Sequence, residues 1–240
     1  MGEFDPGAMR ALTFDVGGTV FDWHHTIGDA VQQAARTKGV QLDAAAFANT
    51  WRRAMLQGVG EVRAGTLPWQ NADALHRRAL DQLLQDSPLA VLSSAERDDL
   101  TFAWHRLRAW PDAAPALARL RGRYTVVVLS ILSFSLLVDS SKHAGIAWDG
   151  IISCEFIGRY KDDPAAYETA VRWLGLRPEQ ALMVAAHPWD LQGAARVGLR
   201  TAYVPRPGEW GEPETRDLTP PPGIDLAAAG FADLADRLGA

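Results

Sequence analysis

Four apolar runs in this chain each end in polar residues that could do chemistry. Arg10-Ala-Leu-Thr-Phe leads into Asp15, with Thr19 four residues on, and Val126-Val-Val-Leu ends in Ser130. Lys161 follows the run Gly150–Ser153, and Ala181–Val184 is followed by His187 and Asp190. A carboxylate becomes a nucleophile when a cation keeps it ionised and aimed. A neighbouring lysine lowers the carboxylate pKa and balances its charge, while hydroxyls at Thr19 and Ser130 can orient the carboxylate oxygens. Taken singly, a strand-end aspartate is as well explained as a helix cap, and a lone lysine as a solvated surface group. Weight comes from the ordered set of four.

The elements that must position these groups follow from the pattern. Alternation of short apolar runs with amphipathic stretches after Trp110-Pro111-Asp112 predicts an α/β fold with a parallel sheet. Strands are expected at residues 10–15, 124–129, 150–153, 181–184 and 201–204. Helices are expected at 113–121, 132–144, 164–174, 188–197 and 231–238. Between the first and second strands the pattern is helical, with helices at 27–38, 43–57, 68–84 and 94–108. Asp43 and Ser94 suit N-caps, and Pro68 suits a first helical turn. The expected organisation is a core formed by residues 9–22 and 109–240 with a helical cap, 23–108, inserted after the first strand. In open parallel sheets, sites form outside the carboxyl ends of the strands, so such a cap covers the site. Met1–Ala8 (MGEFDPGA) is acidic and is followed by a second methionine. It is read as a vector-derived leader and set apart from the fold.

Composition narrows the classes. The 240 residues are 48% hydrophobic and 22% charged, which fits a folded globular protein rather than a disordered one. A net charge of −5 and the lack of a long basic tract argue against a nucleic-acid partner. The longest apolar stretch, Thr125–Val138, contains three serines and is shorter than the roughly 20 residues a membrane span needs. The single cysteine, Cys154, excludes an internal disulfide and a multi-cysteine zinc site, and points to a reducing, cytoplasmic setting. Cys154 itself reads as a buried small residue, since no base stands beside it. His24-His25 reads poorly as a metal pair, because adjacent helical residues point in different directions. Trp69, Trp104, Trp110 and Trp173 read as core or domain-boundary packing.

The four strand ends also resemble the four ordered motifs of the haloacid dehalogenase superfamily. Phe14-Asp15-Val16-Gly17-Gly18-Thr19-Val20-Phe21-Asp22-Trp23 resembles the first, and Val-Val-Val-Leu-Ser130 the second. Tyr-Lys161-Asp-Asp-Pro-Ala-Ala-Tyr167 resembles the third, and Val184-Ala-Ala-His-Pro-Trp-Asp190 the fourth. The likeness covers about Met9 to Pro205 and implies a Rossmann-like core with a helical cap. Superfamily phosphatases carry a second aspartate where Gly17 stands and a further acid where Ala186 stands. Magnesium needs several oxygen ligands, so both substitutions argue against a phosphatase. The branch that remains is the L-2-haloacid dehalogenase type, which works without metal or other cofactor. Trp189 beside Asp190, and Tyr167 six residues after Lys161, support it, and both are expected to contact substrate. The resemblance implies Asp15 as nucleophile, supported by Thr19, Ser130, Lys161 and Asp190. It also implies a cap arginine that pairs the substrate carboxylate or the leaving halide. Of Arg52 and Arg53, Arg53 is the better aligned, and an arginine fork suits anions.

Departures from that pattern shape the expected pocket, whose mouth Trp23 is expected to line. Ile131 replaces an asparagine that cradles the anion, and Gly17 replaces an aromatic wall, so the pocket is expected to be larger and less friendly to anions. Asp162 replaces a proline and could reshape the loop or compete for Lys161. Ala185 replaces a serine. His187 replaces an asparagine and could activate water near neutral pH or serve as a structural residue at a helix start. Two rival functions remain: acid–base tailoring chemistry on a larger, less anionic substrate, and a catalytically silent binding protein. The expected partner is a small molecule, with no nucleic acid and no membrane. The Leu80–Leu84 and Phe102–Leu107 stretches suit cap packing or a homodimer.

Overall fold

The computed structural model describes residues 4–213 and 215–240. Met1–Glu3, part of the expected leader, lie outside the described residues. Strand β1 (Ala11–Phe14) is buried along its whole length, as a strand with neighbours on both sides must be. The chain then turns through Gly17–Val20 into β2 (Phe21–Asp22) and enters a helical block. That block comprises α1 (Trp23–Lys38), α2 (Ala44–Arg63), α3 (Ala72–Leu83) and α4 (Ser94–Phe102), with short 3-10 turns at Leu84–Asp86, Pro88–Val91 and Ala103–Arg106. Strand β3 (Arg108–Ala109) brings the chain back, pairing antiparallel with β2 through Phe21↔Ala109 and Asp22↔Arg108. The two chain crossings therefore form one short ribbon.

The rest of the chain alternates. It runs through α5 (Ala113–Arg121), β4 (Thr125–Ser130), α6 (Phe134–His143), β5 (Gly150–Ser153), α7 (Cys154–Ile157) and α8 (Pro164–Trp173). It continues through β6 (Ala181–Ala185), α9 (Pro188–Arg196), β7 (Arg200–Tyr203), β8 (Leu226–Ala227) and α10 (Phe231–Arg237). The six-stranded sheet has the order β5-β4-β1-β6-β7-β8, and each of its pairings is parallel. β1 lies between β4 and β6, so chain order reverses there and the loops after these strands diverge above it. This is the expected α/β architecture with helices inserted after the first strand. No helix among the described residues is long and apolar enough to cross a membrane.

The helix starts differ from expectation for local reasons. α3 begins at Ala72 rather than Pro68, because Asn71 accepts from the Ala74 N–H and caps it there. α4 is capped by Ser93, not Ser94; Ser93 and Glu96 form a reciprocal capping box. The expected single helix to Arg108 stops at Phe102 and tightens into a 3-10 turn. Strands β3 and β8, two residues each, carry no readable alternation. Trp104 is buried, and Trp69, though 39% exposed, packs on Tyr160 at 4.8 Å across the boundary between the helical block and the core, whereas Trp173 is 52% exposed, which corrects its assignment to packing.

Candidate active site

Asp15 leaves the end of β1 with its backbone N–H bonded to the Val184 carbonyl (3.0 Å), so the carboxylate projects beyond the sheet. Its side chain meets three groups from three other segments. Lys161 Nζ donates to Oδ1 at 3.0 Å. Thr19 Oγ1 donates to Oδ2 at 2.7 Å, and His187 Nδ1 stands 3.1 Å from the same oxygen. The Ala186 N–H donates to Thr19 Oγ1 (3.0 Å), which leaves the threonine proton for Asp15. Burial alone would raise the Asp15 pKa. Lys161 and His187 outweigh it and hold the carboxylate well below its usual range.

A second carboxylate stands behind the lysine. Lys161 Nζ donates to Asp190 Oδ2 at 2.7 Å, and Tyr167 OH donates to Asp190 Oδ1 at 2.7 Å. Burial disfavours the ammonium, but Asp15 and Asp190 on either side raise its pKa. Tyr167 is fully buried, so it braces Asp190 from beneath instead of binding substrate as expected. Ser130 also departs from its expected role. Its Oγ accepts from the Leu132 N–H (3.2 Å) and shapes the loop rather than bonding Asp15. Asp162, at φ 75°, turns away from Lys161 and pairs with Arg63 and Arg196, so it does not compete for the lysine.

His187 is clamped from both sides. Nδ1 faces Asp15, and Nε2 lies 3.0 Å from Glu209 Oε1. Two carboxylate partners suit an imidazolium, which has two N–H donors. Burial pulls the His187 pKa down, but Glu209 and Asp15 push it up to about 10. Both ring nitrogens of His187 therefore face carboxylates, an arrangement that favours the protonated ring over the expected water-activating base. Glu209 also accepts from Trp23 Nε1 (3.2 Å) and Arg216 Nη1 (2.7 Å). Burial raises its pKa, but His187, Arg216 and Trp23 together bring it down to about 2. Trp23 is fully buried and supports this network instead of lining the mouth.

Sequence reasoning missed Glu209, which sits in the irregular Pro/Gly-rich segment after β7. One signal was available in the first motif. Gly18 has φ +98°, and a Cβ there would stand 2.0 Å from Glu209 Oε1. That glycine is required twice over, by the backbone and by the glutamate packed on it. Arg206 ties the same segment down, donating to the Thr19 carbonyl (2.7 Å) and to Asp112.

Helix α2 forms the roof. Ala48, Trp51, Arg52, Met55 and Val59 share its buried face, and Trp51 anchors it by donating to the His76 carbonyl at 2.8 Å. Arg53, one residue on, points about 100° away. It is exposed and stacks on Trp210 at 5.1 Å. The cap arginine of the site is therefore Arg52, which corrects the preference for Arg53. Arg52 is buried between Trp23 and Trp104, with ring centroids 5.8 and 5.9 Å from its Cζ. Among the described residues its Nε has no hydrogen-bond partner, and Nη1 reaches only Met55 Sδ at 3.8 Å. Burial lowers its pKa, and the charges of Glu209 and Asp15 offset part of that.

Between roof and floor lies a cavity of about 480 Å³. Asp15, Lys161, His187, Glu209 and Arg52 line it, with Gly17, Leu56, Val59, Ile131, Trp189, Trp210 and Leu218. Gly17 does not leave the expected free space. A Cβ there would stand 3.2 Å from Arg52 Nη2 and 3.5 Å from Leu132 Cδ1, so the glycine makes room for the guanidinium. The space that the sequence suggested would be open at Gly17 is thus occupied by a cation. Cys154 is buried and its thiol is pushed up to about 12 by burial, too high for a thiolate nucleophile. His24 bonds Asn49 (2.9 Å) and His25 bonds Asp22 (2.9 Å), and no group of three or more His, Cys, Asp or Glu among the described residues could hold a metal.

Known proteins repeat this arrangement of sequence and fold. The family model for haloacid dehalogenase-like hydrolases matches residues 9–198. The (S)-2-haloacid dehalogenase 4A of Burkholderia cepacia is 32% identical over 216 residues, covering 88% of this chain and 89% of that protein. A solved defluorinating L-2-haloacid dehalogenase superposes with a TM-score of 0.94 at 38% identity, over all of both chains. A further L-2-haloacid dehalogenase structure gives 0.92 at 36% identity, covering 96% of this chain and 99% of that one. On this match, and with the strand-end residues of all four motifs in place, the chain belongs to the haloacid dehalogenase-like hydrolases, in their L-2-haloacid dehalogenase branch.

Proposed function

We propose that this protein hydrolyses 2-haloacids without a metal, with Asp15 as covalent nucleophile. The observation that supports this best is an ionised, oriented carboxylate facing a buried cation that has no anionic hydrogen-bond partner among the described residues. Asp15 Oδ2 already serves Thr19 and His187, whereas among the described residues Oδ1 serves only Lys161. A carboxylate oxygen has two lone pairs in plane, so Oδ1 keeps one free for attack. In the proposed first step Oδ1 bonds to the carbon bearing the halogen, the carbon–halogen bond breaks, and the halide leaves. Displacement from the rear inverts that carbon. Arg52 receives the halide or the substrate carboxylate. Water then adds to Cγ of the ester and releases a 2-hydroxyacid.

Asp15 is a poor candidate for the rival acid–base chemistry, because a carboxyl held well below its usual range has no proton to give at neutral pH and, once ionised, is too weakly basic to take one effectively. The proposal extends to residues 23–108 acting as the cap over this site, and to the reducing cytoplasm as the setting of the free thiol Cys154. The test is halide release from chloroacetate and from each enantiomer of 2-chloropropionate, in the presence of chelator. Release favouring the (S) enantiomer is expected, with a loss of about 10⁴-fold or more in Asp15→Asn, as for other covalent nucleophiles. Turnover that survives in Asp15→Asn rejects the reading.

A further inference from the structure

We propose that His187, kept cationic by Glu209, is the donor that takes up the negative charge forming on the Asp15 ester carbonyl during hydrolysis. The inference rests on the reading of Asp15 as the nucleophile. If Oδ1 forms the ester bond, Oδ2 is the ester carbonyl oxygen. That oxygen is the one held by Thr19 Oγ1 at 2.7 Å and faced by His187 Nδ1 at 3.1 Å. Two donors converging on one carbonyl oxygen form an oxyanion hole. Glu209 touches no reacting atom. It is a positioning residue, 3.0 Å from Nε2, itself fixed by Trp23 and Arg216.

The step balances. Water oxygen bonds to Cγ, and the carbonyl electrons move to Oδ2, where Thr19 and His187 hold them. The Cγ–Oδ1 ester bond then breaks and the 2-hydroxyacid oxygen leaves, taking one proton of the water. The other proton goes to solvent, and Asp15 returns as a carboxylate. Halide release comes earlier and needs nothing from His187 beyond aiming Asp15.

The charged groups around His187 set the sign of its pH dependence. Asp15 faces it from the end of β1 and Glu209 from the segment after β7. Lys161 and Arg216 face it indirectly, each paired to one of those acids, and Arg52 lines the same cavity from α2. In the free protein Asp15 and Glu209 both support the imidazolium, which has a pKa of about 10. Alkylation removes the Asp15 charge and leaves Glu209. The midpoint for the ester state therefore lies below that of the free protein, and protonated His187 remains the active form.

Rapid-quench turnover of (S)-2-chloropropionate tests this, with halide and the mass of the protein–ester adduct followed separately from pH 5 to 10.5. In the unaltered protein, ester decay is expected to fall as pH rises through the His187 midpoint. His187→Gln should keep a halide burst of about one per site, accumulate ester, slow its decay by about 10²–10³-fold and lose the alkaline limb. Glu209→Gln should move that limb to lower pH, and Glu209→Asp should restore most of it; a merely structural role would move neither. Ester decay that rises with pH over this range makes His187 a base and overturns the proposal, as does unchanged decay in folded His187→Gln. Absence of any halide from the unaltered protein instead removes the nucleophile reading and this inference with it. The pH profile of the unaltered protein separates acid from base even if a variant fails to fold.

Discussion

The floor and the roof of the cavity both carry buried charge but treat it in opposite ways. On the floor every charged group is matched. Asp15, Lys161, Asp190, His187 and Glu209 form one connected array, with Thr19, Tyr167, Trp23 and Arg216 closing its ends. In the roof Arg52 lies buried with no oxygen partner among the described residues. A buried charge is costly unless it is paired. The floor meets that cost with its own residues and so is fixed before substrate arrives. The roof leaves part of it unmet, and an anion entering the cavity would supply what is missing. The two halves therefore predict opposite couplings between stability and activity.

Arg52→Leu is the sharpest test of that difference. Removing the guanidinium should lower kcat/KM for (S)-2-chloropropionate by about 10²–10³-fold, the range for losing a preorganised charge at a reacting site. It should also raise the melting temperature, because an unpaired buried cation is replaced by an apolar side chain. A variant that loses both activity and stability would place Arg52 among the structural residues and dissolve the contrast.

The floor should respond the other way. Tyr167→Phe removes the donor to Asp190 Oδ1 and leaves a buried carboxylate short of one partner. Hydrogen bonds to charged groups contribute about 1.5–3 kcal/mol. Urea titration should show a stability loss in that range. Activity should fall by about tenfold, through the loosened Lys161. A stable variant of unchanged activity would show that the second carboxylate needs no support from beneath.

Legibility in the sequence followed the same division. Elements and site residues on regular structure could be read, since apolar periodicity fixes which way a side chain points. Asp15, Thr19, Lys161 and Asp190 come together because parallel strands β1 and β6 and the loop after α7 end on one side of the sheet. What could not be read depended on tertiary approach. Glu209 reaches the site from an irregular segment with no period, and its only trace is the space kept for it at Gly18. Ser130 and Trp23 occupy motif positions, yet their hydrogen bonds point elsewhere. His187 was legible as a titratable group, but the direction of its shift depends on Glu209.

Arg53 is the smallest test and the one that separates alignment from geometry. Adjacent residues on a helix differ by about 100° in direction, so Arg52 and Arg53 cannot both face the site. The pattern Ala48, Trp51, Arg52, Met55, Val59 follows i, i+3, i+4, i+7 and i+11, and Arg53 falls outside it. Its guanidinium stacks on Trp210, whose carbonyl accepts from Asn49 at 2.9 Å. Exposed cation–π contacts contribute about 0.5–1 kcal/mol. Arg53→Ala should therefore change kcat/KM less than about twofold and stability by no more than that contact. A loss comparable to that of Arg52→Leu would mean that α2 turns on binding substrate, and that the roof, unlike the floor, is not fixed in advance.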